Sequence, residues 1–150
     1  MLKFFHKLFD KHDHHRCEVT GSLRRKKKDV RDIDIVVKKN ENKKIKVENL
    51  KDVDIKVLEI VSKYNEVKKR INNYEFLLKS GISIHMIPET SKQFNYTLWH
   101  STGPKPHVKL IKNMYKEKGK KIDMENTVEG EIYEKIGLKH LQPEKRWEIV

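Results

Sequence analysis

The sequence predicts an α+β fold, in which a small mixed or antiparallel sheet is backed by helices and followed by a helical subdomain from about residue 103. Residues 32–37 (DIDIVV) form an apolar, β-branched run typical of a buried strand. Two further strands are joined by a tight Ser80-Gly81 turn, which is typical of a hairpin. The helical part is predicted from one apolar stripe at helical spacing, formed by Val108, Ile111, Met114 and Tyr115.

The N-terminal elements follow from changes in hydrophobic period. Apolar residues recur at helical spacing near the start, so residues 2–12 are predicted to form a short amphipathic helix. A first strand is predicted at Glu18-Val19-Thr20, and the second strand is residues 32–37. A polar, mainly basic segment follows, and apolar spacing predicts a helix over residues 50–63.

The later elements are bounded by glycine and proline. Residues 66–79 are predicted to form a strand in their second half, and residues 82–87 alternate as the next strand before Pro88. Pro106 suits the first turn of a helix that ends at Gly119 as a C-terminal cap. Asn126 and Glu129 have the spacing of a capping box for a last longer helix, which stops at Gly137.

Composition excludes several classes of protein. The 150 residues carry 34 Lys and Arg against 22 Asp and Glu, a net charge of +12 that attracts polyanions. Nucleic acid, nucleotides and an anionic membrane surface are all such partners, and composition alone favours none of them. No apolar run approaches ~18 residues, so no transmembrane helix is expected. The prediction includes no membrane partner. A single cysteine, Cys17, excludes an internal disulfide and favours a reducing, cytoplasmic compartment.

Residues 21–34 concentrate the groups that handle phosphate and metal. Gly21-Ser22 at the end of a strand allows the backbone to approach an anion closely, and an arginine guanidinium makes paired hydrogen bonds to phosphate. Asp32 and Asp34 leave the same face of a strand, where they repel each other unless a divalent cation lies between them. Mg²⁺ prefers such carboxylates together with phosphate oxygens. The segment therefore predicts metal-assisted nucleotidyl transfer.

Two acids at this spacing in a highly charged chain are ordinarily solvated. Here they stand within an apolar run, where burial of an unpaired acid would be costly. Gly-Ser-x-Arg-Arg lies ten residues upstream, which favours the functional interpretation.

The motif G-S-L-R-R-x(6)-D-I-D-I-V-V resembles the nucleotidyltransferase palm of X-family DNA polymerases, the DNA polymerase beta group. Residues 94–103 (FNYTLWHSTG) resemble the aromatic segment that precedes the family's thumb, and residues 105–119 resemble the first thumb helix. The likeness extends to a closing helix and a Pro-Glu-x-Arg tail, over roughly residues 17–147. It implies a polymerase reduced to a palm over residues 1–102 and a thumb over residues 103–150.

The resemblance also implies roles for individual residues. Asp32 and Asp34 would ligate Mg²⁺, with Mn²⁺ as a possible substitute. Deoxynucleoside triphosphate would be contacted by Gly21, Ser22 and Arg25, with Thr102 and Gly103 beside its sugar. Arg24 is expected to be structural. Pro104 allows a cis bond after Gly103.

The DNA partner is expected to be a gapped or nicked duplex bound by a monomer. The first thumb helix of the family approaches the nascent base pair and template, which implies DNA contacts for Lys105, Lys109 and Lys112. The run Lys26, Lys27 and Lys28 borders the predicted phosphate site and is a second candidate. Both groups could equally form ordinary solvated surface.

The sequence departs from the family at the third catalytic carboxylate. The family's third Asp lies on a neighbouring strand, here residues 81–88. Counting back from Pro88 places Ser83 at that position, and counting back from Thr102 places His85 there. Both share one face of the strand, so either could face the two acids. Glu75 and Glu59 are the acids that could substitute.

The expected function is addition of deoxynucleotides to a primer 3′ end in gap-filling or end-repair synthesis. Two alternatives remain open from the sequence. One is a template-independent or small-molecule nucleotidyltransferase, because these enzymes share the Gly-Ser and Asp-x-Asp core. The other is a non-catalytic nucleotide-binding or nucleic-acid-binding relative, which the missing carboxylate favours.

Overall fold

A computed structural model describes residues 17–28, 30–38, 66–72 and 74–147. The chain divides into two compact units, Met1–Val19 with Arg31–Ser91, and Thr20–Val30 with Lys92–Val150. The helices predicted over residues 2–12 and 50–63 lie outside the described residues. The division into palm and thumb after residue 102 stays a prediction. Within the described ranges, no helix is long and apolar enough to cross a membrane.

A five-stranded mixed sheet organises the first unit. Its strands stand in the spatial order β1-β2-β5-β4-β3. Strand β2 runs parallel to β5, whereas β4 is antiparallel to both β5 and β3. The predicted α+β class with a mixed sheet is thereby confirmed. The strands are β1 (Cys17–Thr20), β2 (Asp32–Lys38), β3 (Val67–Arg70), β4 (Glu75–Leu78) and β5 (Ser83–Glu89).

The sheet has one apolar face because side chains alternate along each strand. Ile33 lies beside Ile84 and Ile35 beside Met86 in the parallel register, and all four side chains are buried. Phe76 of β4 joins this row opposite Ile84 and is also buried. The alternate residues of the same strands therefore point to the opposite face, which carries Asp32, Asp34, Ser83 and His85 near the start of β2 and β5 and the buried Val36 further along.

The predicted hairpin is confirmed. Strands β4 and β5 pair antiparallel, and the Gly81 N–H donates to the Leu78 carbonyl at 3.0 Å to close the turn between them. Gly81 adopts φ +89°, a conformation that residues with a side chain rarely adopt.

The second unit is helical. Its helices are α1 (Gly21–Arg24), α2 (Phe94–Thr102), α3 (Lys105–Glu117) and α4 (Glu129–Glu134), followed by a 3₁₀ turn at Pro143–Lys145. The predicted stripe of α3 is confirmed, since Val108, Ile111 and Tyr115 are buried. They pack with buried residues of α2 and of the segment that includes α4, namely Trp99, Ile132, Tyr133 and Ile136.

The helix ends confirm one capping prediction and overturn another. Gly119 adopts φ +65° just beyond α3, as a C-terminal cap requires. The predicted capping box is wrong, because Val128 is the N-cap of α4 and no side chain caps it. The Glu129 carboxylate is instead bound by Arg24 and Arg146. The aromatic segment before Thr102, for which the pattern predicts no element, forms α2.

Candidate functional site

The polar face of the sheet carries the two predicted metal ligands. Asp32 lies beside Ser83 and Asp34 beside His85 in the parallel pairing of β2 and β5. Register partners project from the same face of a sheet, so these four side chains form one surface. We call Asp32, Asp34, Ser83 and His85 the carboxylate face. The structure thus brings both candidates for the third position to the same face as the acids.

His85 lies near the carboxylate of Asp34. Its Nδ1 is 3.6 Å from Asp34 Oδ1, and the side chains are 54% and 32% exposed. That distance is too long for a hydrogen bond. An ion pair of this exposure contributes little to stability.

Glu75 extends the same row of side chains. It pairs with His85 in the antiparallel register of β4 and β5, which places it on the carboxylate face one strand further from Asp34. Glu59, the other acid that could substitute for the third Asp, lies outside the described residues. Within the part of the chain that the structure describes, no three His, Cys, Asp or Glu are close enough to hold a metal ion.

The second unit assembles the predicted nucleotide-binding residues around the end of α2. Gly21 is buried at φ +64°, which lets the chain turn sharply out of β1 into α1. Thr20 anchors this turn, because its hydroxyl lies 2.6 Å from Ser101 Oγ and 3.2 Å from Thr102 Oγ1. Ser22 follows at the first turn of α1 and is half-buried.

Arg25 is held against the predicted sugar-binding residues. Its Nη1 donates to the Thr102 carbonyl at 2.5 Å. A Cβ on Gly103 would meet the same nitrogen at 3.2 Å, so glycine permits this close approach. The guanidinium also lies over the Trp147 ring, 5.3 Å from its centroid. The peptide bond between Gly103 and Pro104 is cis.

Arg24 lies at the same end of α2, where its Nη1 donates to Thr102 Oγ1 at 2.8 Å. Its Nη1 and Nη2 donate to both carboxylate oxygens of Glu129, at 2.8 Å and 2.7 Å. Arg146 is fully buried, and its Nη2 donates to Glu129 Oε1 at 2.7 Å. We call Arg24, Glu129 and Arg146 the arginine cluster.

The arginine cluster keeps its carboxylate ionised. Burial by itself would raise the pKa of Glu129, but the hydrogen bonds and charges of Arg24 and Arg146 outweigh that effect and lower it. Glu129 and Arg146 are absent from the predicted site residues. The Pro-Glu-x-Arg tail was the only sequence signal for Arg146, and the helical spacing around Glu129 indicated a cap instead.

The predicted nucleic-acid contacts are exposed cations of the second unit. Lys105, Lys109 and Lys112 are exposed on α3, and Lys26, Lys27 and Lys28 are exposed after α1. Lys26 Nζ lies 3.6 Å from Glu144 Oε1. These positions are accessible to a polyanion, which is also true of an ordinary solvated surface.

Comparison with protein-family models and with curated protein sequences finds no match to this chain.

Proposed function

We propose that the chain is a metal-dependent nucleotidyltransferase that adds deoxynucleotides to a primer 3′ end in gap-filling or end-repair synthesis. The observation that supports this most is the carboxylate face. Asp32 and Asp34 leave the open face of a strand whose other face is buried, with His85 beside them. Together with the X-family motif, it is the arrangement on which the reaction would depend.

Asp32 and Asp34 fit a divalent cation by the chemistry of their oxygens and by their shared face. Bound Mg²⁺ or Mn²⁺ would supply positive charge for the triphosphate and lower the pKa of the primer hydroxyl. Mg²⁺ usually takes one or two protein carboxylates and completes its shell with water and substrate phosphates. Two carboxylates without a third protein ligand are compatible with that pattern.

His85 would change the chemistry at the third position. A neutral imidazole can accept a proton, as the family's Asp does, but it adds no negative charge for a second cation. We therefore expect weaker binding of the catalytic metal than three carboxylates would give. Glu75 of β4 pairs with His85 of β5, so its carboxylate could add such a charge.

The resemblance implies substrate contacts for residues of the second unit. Arg25, with Gly21 and Ser22, would contact the triphosphate, and Thr102-Gly103 would lie beside the sugar. The lysines of α3 and the run at 26–28 would bind the phosphates of gapped DNA. Charge-assisted arginine contacts to phosphate are the strongest of these interactions.

A second candidate function is a nucleotide-binding or nucleic-acid-binding protein without turnover. His85 in register with Asp34 favours it, because no carboxylate occupies that place. A template-independent or small-molecule nucleotidyltransferase would share the same carboxylate face.

Primer extension on a one-nucleotide-gapped duplex tests the proposal, with Mg²⁺ and Mn²⁺ in separate reactions. We expect extension that is lost in the Asp32→Ala/Asp34→Ala variant. His85→Ala and Glu75→Ala then identify which side chain completes the face. Extension of a single strand in the absence of any template would indicate the template-independent enzyme. Binding of deoxynucleotide and DNA without extension with either metal would establish the non-catalytic relative.

A further inference from the structure

A groove in the second unit lies between the C-terminal half of α3, the segment after it and α2. Its volume is about 530 Å³, within the size range of small-molecule clefts. Helix α3 and the following residues supply most of its wall, and Tyr96 of α2 contributes an aromatic ring. The side chains used below are Tyr96, Lys116, Lys120, Lys121, Ile122 and Met124, and we call this the lysine groove.

The lysine groove combines an apolar floor with a cationic rim. Tyr96 and Ile122 are partly buried against the helical core, whereas Met124 is 45% exposed. The lysines of the rim are exposed, and Lys112 also lines the groove. No acidic side chain is among the described residues that line it.

Two observations describe the surroundings of the groove. The Tyr115 hydroxyl donates to the Ile132 carbonyl, which fixes a ring that lines the groove. His100, whose ring centroid is 5.8 Å from that of Tyr96, has a lowered pKa because of burial and the charge of Lys112.

We propose that the lysine groove binds one unpaired nucleotide of a single-stranded nucleic acid, with the base against Tyr96 and Met124 and the flanking phosphates at the lysines. Single-strand binding sites combine a cationic path for the backbone with aromatic rings for the bases. A membrane surface would not enter a concave groove of this size, and the carboxylates of an acidic peptide offer no aromatic ring to stack on Tyr96. The groove shows charge complementarity to phosphate and an apolar floor suited to a base.

This inference goes beyond the proposed function. It concerns binding that is measured without turnover, and its aromatic and apolar residues are not among those assigned to the reaction. Loss of primer extension leaves it untouched, and failure of groove binding leaves the proposed reaction untouched.

The first experiment measures the salt dependence of binding. A fluorescein-labelled thymidine oligonucleotide of about 16 nucleotides is titrated with the full chain and followed by anisotropy. Each phosphate contact contributes about 0.7 to the logarithmic salt slope for a single strand. Lys120→Gln/Lys121→Gln is expected to lower that slope by about 1.4 and to weaken binding about tenfold at roughly 0.1 M salt.

The matched control is Lys118→Gln/Lys139→Gln, which removes the same charge from outside the groove. Lys118 donates its ammonium to the Ile136 carbonyl at 3.3 Å, as Lys120 of the groove does to the Lys135 carbonyl at 3.2 Å, and Lys139 is exposed. Equal weakening by the two double variants would overturn the groove, because only net charge would then matter.

The second experiment tests the base contact. An oligonucleotide with 5-iodouracil at its centre is irradiated with the wild-type chain, and the crosslinked peptide is identified by mass spectrometry. We expect the crosslink at Tyr96. Tyr96→Leu, which keeps an apolar group at the groove, is expected to weaken binding about tenfold and remove that crosslink. A crosslink found only outside the groove would overturn the proposal.

Thymidine monophosphate distinguishes a free nucleotide from a strand. It is expected to displace the oligonucleotide only at concentrations far above the oligonucleotide's dissociation constant, because it reaches fewer lysines. Displacement at comparable concentrations would overturn the assignment to a strand. Phosphatidylserine vesicles, which are anionic, are used as a second competitor. If they displace the oligonucleotide from the wild type and from Tyr96→Leu at the same concentration, and Tyr96→Leu binds the oligonucleotide as tightly as the wild type, the assignment is also overturned.

Discussion

The carboxylate face and the arginine cluster both contain acidic and basic side chains, but they differ in how closely these are paired and how deeply they are buried. In the arginine cluster, Glu129 accepts hydrogen bonds of 2.7–2.8 Å from Arg24 and Arg146, and Arg146 is fully buried. On the carboxylate face, His85 Nδ1 lies 3.6 Å from Asp34 Oδ1, and the two side chains are 54% and 32% exposed. Breaking a buried pair of charges is costly, whereas an ion pair of this exposure contributes little to stability.

The largest effect is expected at Glu129. Glu129→Leu would leave two arginine charges without their partner, and breaking a buried pair in this way costs about 3–5 kcal/mol. We expect a fall of that size in the free energy of unfolding, measured by urea denaturation. The control Glu134→Leu replaces an exposed acid of the same helix and is expected to change stability by about 0.5 kcal/mol or less. Similar losses in both variants would contradict the special role of the cluster.

The second prediction concerns Gly103, where an added Cβ would meet both an unfavourable backbone conformation and the Arg25 side chain. Its φ of +64° and ψ of −149° fall in a region that is nearly restricted to glycine. Gly103→Ala is expected to cost about 1–3 kcal/mol and to displace Arg25, whose Nη1 would lie 3.2 Å from the new Cβ. Gly119→Ala, at φ +65° with nothing within 4 Å of the new Cβ, measures the cost of a positive φ without a close contact. A cost at Gly103 no larger than the cost at Gly119 would contradict an added contribution from the conformation of Gly103 and its close contacts.

Acid titration tests whether Glu129 is ionised by its partners. Its folded-state pKa is lowered below the ordinary 4.5, so its stabilising effect is present above pH 4.5 and is lost as the pH falls through the lowered value. Urea denaturation from pH 7 to pH 3 is expected to show a stability gap between wild type and Glu129→Gln that narrows below pH 4.5. A gap that stays constant over this range would contradict the depressed pKa.

The smallest effect on stability is expected on the carboxylate face. Asp32 is exposed and Asp34 is 32% exposed, so we expect Asp32→Ala and Asp34→Ala to change the free energy of unfolding by about 0.5 kcal/mol or less. The same variants are expected to abolish primer extension. A large loss of stability would erase the contrast with the arginine cluster, and it would make these acids structural.

Local pattern accounts for much of the fold. The β-branched run of β2, the hairpin of β4 and β5 and the stripe of α3 all follow from hydrophobic period and turn residues. Helix α2 escapes prediction because aromatic and β-branched residues, such as Phe94 and Thr97, have only moderate helix propensity. Its burial against α3 and α4 decides the conformation.

Long-range pairing accounts for the rest. Two spacings in the sequence pointed to different residues at the third position, and only the register of β2 with β5 places Ser83 beside Asp32 and His85 beside Asp34. The three-position spacing of Asn126 and Glu129 predicts a capping box. The partners of Glu129 lie 105 and 17 residues away, which no local pattern contains.

The two tryptophans differ in exposure, so their intrinsic fluorescence can report on binding near Arg25. Trp147 is 51% exposed and stacks on the Arg25 guanidinium, whereas Trp99 is fully buried and donates its indole N–H to Tyr133. An anionic ligand that draws the Arg25 guanidinium away from Trp147 would change the fluorescence emission of Trp147. The emission of Trp99 would stay unchanged and serve as an internal reference. Quenching by iodide would separate the two signals, because the anion reaches only the exposed ring.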